Sequence, residues 1–401
     1  MKVVQINGGV FGSTGKIMFG IADALNQCGG QCLCFAPVTS TNHFQEPEHY
    51  YIKISSYYLR RFSVLLDRIT GGQGRGAVFA TKKLIRDIKC YDPDVIHLQN
   101  IHGGFVNIPR LFNYLKKCRK SIVWTFHDCW PYTGHCTYYD IVGCEKWKTE
   151  CCQCPLFSEY PKCIWDNSKY LYKKKKAWFG GIHDLTIVTP SQWLADLVRQ
   201  SFLSDYPVKI INNGIDLSVF KPTPSSFREK YGIPNNKFIL LGVAFDWGVR
   251  KGLDIFVELA KRLPQEQYQI VLVGTNEKVD KQLPDNIISV HRTQNQQELA
   301  EIYTAADLFV NPTREENYPT VNMESIACGT PVLTFKTGGC SEIVNDTCGS
   351  IVEKDDVNAM EREIVRICTD NPYSVENCLN RAKVFDTRDR FQEYINLYKE
   401  I

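Results

Sequence analysis

The chain has 401 residues, 47 Lys and Arg against 44 Asp and Glu, and a net charge of +3 at pH 7. That length suits two domains of ordinary size rather than one, and 44% apolar residues excludes a disordered chain. No run of 18 apolar residues occurs, which excludes a membrane-spanning helix. The small net charge hides an asymmetry: residues 1–210 carry +10 and residues 211–401 carry −7. A basic half points toward something anionic, with nucleic acid and an acidic membrane surface as candidates.

In chain order, the first predicted element is a buried strand, Lys2–Ile6, running into the turn Gly8-Gly9. No secretory leader precedes it, so a cytoplasmic protein is expected. The stretch from Gly8 to Lys16 imitates a phosphate loop. It is not one, because Val10 stands where the first glycine belongs and Ile17 where Ser or Thr must follow the lysine. Tyr58, Phe62, Leu65, Leu66 and Ile69 then share one face of a predicted helix, with Arg60, Arg61 and Arg68 beside it. Asp92-Pro93-Asp94 reads as a turn before the strand Val95–Leu98, and the strand Ile122–Phe126 ends at His127-Asp128. Seven of the 17 cysteines follow between Cys129 and Cys163, mostly within an insertion of about residues 131–166. Cys136, Cys144, Cys151 and Cys154 offer the donor set of a structural zinc site, which would be closed and not catalytic. Reduced thiols and disulfides are the other two readings. Tyr170–Phe179 mixes four lysines with aromatics. This stretch and the helix of Arg60 each read alone as a solvated face. Together they suit a peripheral contact with an anionic membrane and a lipid-linked acceptor. No nucleic-acid-binding module is present.

The strand Thr186–Thr189 closes the first half. Five more buried strands follow: Phe238–Ala244, Gln269–Val273, Ile287–His291, Leu308–Val310 and Pro331–Thr334. Strands alternating with helical segments predict an α/β architecture of two doubly wound, Rossmann-like parallel sheets. Ligands of such sheets bind beyond the carboxyl ends of the strands, so two sheets facing each other would place a site in the cleft between them. The expected division is residues 1–208 and 209–385, with a last helix over 386–401.

The most informative residues follow the strand Leu308–Val310. Glu316 and Glu324 stand eight residues apart across a predicted loop-to-helix junction, with Tyr318, Pro319, Thr320 and Val321 at the helix start. Free amides at a helix start attract anions, and a carboxylate accepts from a vicinal diol. A ligand with phosphate in its middle and sugar at both ends fits that pattern. Gly329-Thr330-Pro331-Val332 and then Gly338-Gly339-Cys340-Ser341-Glu342 come next. This combination resembles the donor site of retaining glycosyltransferases of family 4, which have the GT-B fold. Asn212-Asn213-Gly214-Ile215-Asp216 is similar to that family's segment between domains.

The resemblance implies a first domain that binds acceptor, a second that binds a nucleotide diphosphate sugar, and a last helix, 386–401, that crosses back to the first domain. It implies that Glu316 holds the transferred sugar, Lys251 the diphosphate and Glu324 the ribose. Gly8, Gly9, Gly338, Gly339 and Glu342 are expected around the donor, and His127 near the reacting carbon. It implies no obligatory metal or other cofactor for catalysis. Phe245 stands where the family carries an arginine, so the second cation on the diphosphate is missing from the motif, with Arg250 the substitute at hand. The expected activity is transfer of a hexosyl unit, from UDP or GDP, to a lipid-linked glycan in surface polysaccharide synthesis. A nucleotide-sugar epimerase of the same fold and an inactive sugar-nucleotide-binding subunit are the rival readings.

Overall fold

The computed structural model describes residues 1–401 as two compact units. One comprises Met1–Ile211 and Phe391–Ile401, the other Asn212–Arg390.

The first unit is built on seven parallel strands: β1 (Lys2–Ile6), β2 (Gln31–Ala36), β3 (Ile52–Lys53), β4 (Val95–Leu98), β5 (Ser121–Thr125), β6 (Leu185–Thr189) and β7 (Val208–Ile210). Their order is β3-β2-β1-β4-β5-β6-β7. Both faces of the central strands are covered, which is why they read as continuous apolar runs. Val4, Ile6, Ile96, Leu98 and Trp124 serve one core layer, and Val3, Val95, Val123 and Val188 the other. The last helix, Thr387–Glu400, adds Tyr394 and Tyr398 to that second layer. The Tyr398 hydroxyl lies 2.6 Å from His97 Nδ1, and His97 Nε2 lies 2.8 Å from Thr125 Oγ1. His97 is therefore a packed core residue, and β7 carries the first sheet to Ile210, past the expected division.

The second unit has six parallel strands: β8 (Phe238–Val243), β9 (Tyr268–Val273), β10 (Ile287–Val290), β11 (Leu308–Asn311), β12 (Val332–Phe335) and β13 (Gly349–Val352), in the order β10-β9-β8-β11-β12-β13. Their side chains alternate between two cores. Ile239, Leu241, Val271 and Phe309 pack on one face, and Leu240, Ile270, Leu272 and Leu308 on the other. In both sheets the first strand has its sequence successor on one side and a later strand on the other. The crevice at that reversal is where open α/β sheets bind ligands. It lies between β1 and β4 in the first unit and between β8 and β11 in the second.

No helix is long and apolar enough to cross a membrane. The two basic segments differ. The helix Tyr57–Thr70 is capped by Ser56 and ended by Gly71 at φ 63°, and it turns its apolar residues outward, so that only Ser63 is buried. The helix Ser168–Phe179 does the opposite, burying Leu171, Tyr172, Lys175 and Phe179. Lys175 donates to the Trp130 and Thr133 carbonyls at 2.7 and 3.1 Å, and burial lowers its pKa to about 7. The expected membrane-facing stretch at 170–179 is thus in part a core element.

Candidate active site

The site in the second unit forms where loops leave β8 and β11 on either side of the reversal. After β8, a single turn of 3-10 helix, Val249–Lys251, ends at Gly252 with φ 73°. A Cβ there would lie 2.4 Å from the Pro312 carbonyl oxygen, so only glycine lets this loop lie against the one after β11. Further bonds bind the two loops. Arg314 N donates to the Arg250 carbonyl at 2.9 Å, and the Arg314 guanidinium donates to the Val249 carbonyl at 2.6 Å and to both carboxylate oxygens of Asp254 at 2.7 and 2.8 Å.

This stitching brings Lys251 and Glu316 together as an ion pair. Burial, the largest influence on Glu316, opposes its ionisation. The Lys251 ammonium and the Asn317 amide, which donates to Oε1 at 3.1 Å, outweigh it and hold the carboxyl below the usual range. Glu316 is thus anionic, with a cation at hand.

The helix Thr320–Ala327 follows, with Pro319 at its N-cap and no side chain capping it. Its first-turn amides, those of Thr320 and Val321 among them, have no partner within their own helix. Glu324 lies one turn on and accepts from the Tyr303 hydroxyl at 3.2 Å. Burial, then the Glu324 charge, raises Tyr303 well above a normal phenol, so it stays a donor. Tyr318 is buried, and its hydroxyl is likewise pushed up to about 12 by burial.

Gly338 and Gly339 lie behind Glu316. Gly338 has φ 53°, and a Cβ there would fall 1.7 Å from the Glu316 carbonyl oxygen; Gly339 N donates to the Asn317 carbonyl at 2.7 Å. The helix that follows them, Cys340–Ile343, has only four residues. Their evident work is to let β12's loop press on the backbone of Glu316. Glu342 sits in that turn, and its carbonyl accepts from Arg381 at 2.7 Å.

Phe245, in place of the expected arginine, is 85% exposed, and the Arg292 guanidinium lies 5.3 Å from its ring centroid. Arg292 follows β10, far from the motif in sequence. Only the pairing of β8, β9 and β10 brings it near, so no spacing rule could have found it.

In the first unit, Asn7 organises the turn after β1. Its Oδ1 accepts from Gly8 N at 2.9 Å and its Nδ2 donates to the Gly9 carbonyl at 2.8 Å. A Cβ on Gly8 would meet the Asn100 carbonyl oxygen at 3.1 Å, so the turn lies close against the loop after β4. His127 follows β5. Gln5 Nε2 donates to the Met18 carbonyl at 2.7 Å, and its Oε1 accepts from Gln99 Nε2 at 2.8 Å. Gln99 Oε1 is left to accept from His127 Nε2–H at 3.0 Å. That chain makes Nδ1 the unprotonated nitrogen of a neutral ring, and burial lowers the His127 pKa to about 4.

Burial also depresses His97 to about 3 and His135 to about 4. An unfolded imidazole titrates near 6.5. Between about pH 6.5 and 4 the unfolded chain therefore binds more protons, and stability falls as pH falls through that window. Melting temperatures taken from pH 7 to 4.5 should decline steadily; a flat profile would contradict these assignments.

The expected zinc quartet is not assembled. Cys136, Cys144, Cys151 and Cys154 line one small cavity, but no group of three or more His, Cys, Asp or Glu side chains is arranged to hold a metal ion. Within the quartet Cys136 pairs with Cys154, while Cys151 Sγ accepts from Gly134 N at 3.2 Å. No disulfide joins any of the 17 cysteines.

Two doubly wound parallel sheets with this loop arrangement define the GT-B class of glycosyltransferases. Residues 15–219 match the model of glycosyltransferase family 4, and residues 236–370 that of glycosyl transferases group 1. The chain belongs to glycosyltransferase family 4 and is an enzyme of the hexosyltransferase kind. It is 25% identical over 323 residues, 77% of each chain, to an Escherichia coli K12 protein named as a colanic acid biosynthesis glycosyl transferase, WcaC. It is 28% identical over 221 residues to the lipopolysaccharide glucosyltransferase WaaG of the same organism, covering 52% of this chain and 59% of WaaG. Sucrose-phosphate synthase of Thermosynechococcus elongatus shares the fold with a TM-score of 0.73 at 19% identity, over 100% of this chain and 98% of that one. HepE of Anabaena, solved in complex with UDP, does so with a TM-score of 0.71 at 14% identity over the whole of both chains.

Proposed function

We propose that the chain is a retaining hexosyltransferase of surface polysaccharide or lipopolysaccharide synthesis, with a nucleotide diphosphate sugar as donor and a lipid-linked glycan as acceptor. The observation that carries the donor assignment is the Lys251–Glu316 pair, which immediately precedes a helix, Thr320–Ala327, that no side chain caps at its N-terminus. Such a site offers a cation and N–H groups to a diphosphate and a carboxylate to sugar hydroxyls. Glu324 then takes the ribose diol, with Tyr303 holding its other side. UDP is the expected nucleotide, as in the complex of HepE. Gly8, Gly9, Tyr318, Pro319, Gly338, Gly339 and Glu342 are assigned to shaping the donor site, and His127 to the reacting end of the sugar. The proposed home is the inner face of the cell membrane, held by the helix Tyr57–Thr70.

In this reading the bond from the sugar's anomeric carbon to the leaving phosphate oxygen breaks. The bond to the acceptor oxygen forms on the same face, and the acceptor's proton passes to the leaving phosphate. Lys251 and the helix amides stabilise the charge that develops there. No metal ion is assigned to this step.

Arg292 is assigned the place of the missing second cation. Arg292→Ala should weaken nucleoside diphosphate binding roughly tenfold, the usual worth of a charge-assisted contact. Calorimetry with UDP checks this; Phe245→Ala should have the smaller effect.

Assay of nucleotide release from UDP- and GDP-hexoses, with and without a lipid extract, tests the function. Release that depends on acceptor, with the anomeric configuration kept in the product, is expected. Turnover to an isomeric sugar nucleotide without acceptor would instead make the chain an epimerase.

A further inference from the structure

We propose that a cavity in the first unit, beside the helix Tyr57–Thr70, binds the phosphate group of an amphiphilic acceptor, with its arginines on the phosphate and the helix's outward apolar face on the hydrocarbon chain. This deepens the reading of the enzyme as one that acts on a lipid-linked acceptor, and rests on it.

The cavity has a volume of about 710 Å³. Four cations line it: Arg60, Arg61, Arg68 and Lys162. None of the four is in an ion pair, although 22 such contacts exist elsewhere in the chain. Arg61 reaches only the Tyr57 hydroxyl, at 2.8 Å. Arg60 is the telling residue. Its Nε is buried and has no hydrogen-bond partner. A guanidinium taken from water without an acceptor costs stability that a bound oxyanion would return, and burial correspondingly lowers its pKa. The one carboxyl in the lining, Asp67, is raised by burial to a pKa of about 7, so at pH 7 it offsets only part of the charge of the four cations.

The surrounding wall is fixed. His102 is held by Asp128 at 2.9 Å and the Tyr160 hydroxyl at 3.1 Å. Gly103 runs alongside the Arg60 fork, where a Cβ on it would make an ordinary contact with Nη2 at 3.6 Å.

Phe62 and Leu65 connect the cavity to the apolar face. Both line the cavity, yet they are 59% and 51% exposed, and Leu66 and Ile69 extend the same exposed face. Apolar residues turned away from the core beside unpaired arginines match a molecule that is itself apolar at one end and anionic at the other. A free sugar phosphate would leave the apolar face unused. A bilayer surface alone would leave the buried Arg60 Nε unpaired.

Farnesyl diphosphate, kept below its micelle concentration, is the probe, titrated into the full chain by calorimetry. One site per chain is expected. Farnesol and inorganic pyrophosphate should each bind at least about tenfold more weakly, and Arg60→Ala and Arg68→Ala should each weaken farnesyl diphosphate by about tenfold. Arg60→Lys should fall between, keeping charge but losing the fork. UDP affinity should be the same in all these variants. Equal binding of farnesol, equal binding of pyrophosphate, or unchanged affinity in the Arg60→Ala/Arg68→Ala double variant would each overturn the proposal. So would phosphatidylglycerol vesicles that displace the probe and bind that double variant as well as the parent, since the face would then be a membrane contact. If farnesyl diphosphate binds as expected and UDP does not bind, it is the donor reading that fails.

Discussion

Lys251→Ala should lower turnover by about 10²–10³-fold, the loss expected when one preorganised group opposite a developing oxyanion is removed. Glu316→Gln should lower turnover by a similar order, but through the sugar rather than the phosphate. Their effects should not multiply. The two side chains form an ion pair with each other, and residues in direct contact combine non-additively. Nucleotide binding separates their roles. Lys251→Ala should weaken UDP binding, because a cation is lost. Glu316→Gln should tighten it, because Lys251 no longer leaves an anionic partner to reach the diphosphate. Calorimetry with UDP on the two single variants checks this; equal weakening by both would contradict the assignment of Lys251 to phosphate.

Gly338→Ala is the second large effect. The residue sits at φ 53°, and its new Cβ would fall 1.7 Å from the Glu316 carbonyl oxygen, a contact with backbone that no side-chain rotation relieves. Strain at a positive φ costs roughly 1 kcal/mol, and the clash must be relieved by shifting the Glu316–Asn317 segment. A displacement of about 1 Å in a catalytic group costs on the order of 10²-fold in rate. Transferase activity should therefore fall at least that far while the chain still folds. Gly143→Ala provides the comparison. It also has positive φ, 58°, but open space around its Cβ. It should show the strain in thermal denaturation and keep full activity. If Gly338→Ala is as active as Gly143→Ala, the loop after β12 does not position Glu316.

Much of this was legible in the sequence where burial on both faces writes continuous apolar runs. The predicted strands at Lys2–Ile6 and Val95–Leu98 match β1 and β4 residue for residue, and the other predicted strands differ at their ends by one or two residues. The strands that escaped prediction lack that signal. β2 reads Gln-Cys-Leu-Cys-Phe-Ala and opens with an exposed residue, β3 has two residues, β7 has three and none is buried, and β13 is half exposed and begins with glycine. For the candidate site, the spacing of Glu316 and Glu324 could be read because both lie on one local loop and helix. Arg292 could not, because strand order brings it to Phe245. Nor could local pattern reveal that the lysine-rich stretch buries Lys175, since that depends on the carbonyls of Trp130 and Thr133 more than 40 residues earlier.

A thermal-shift titration tests most directly whether the second unit holds a nucleoside diphosphate. UDP at about 100-fold its dissociation constant should add roughly 2.7 kcal/mol of stability. It should raise the melting temperature of the parent chain, and at the same concentration raise that of Lys251→Ala much less. No shift with UDP, GDP or ADP at millimolar concentration, or an equal shift in parent and Lys251→Ala, would contradict it.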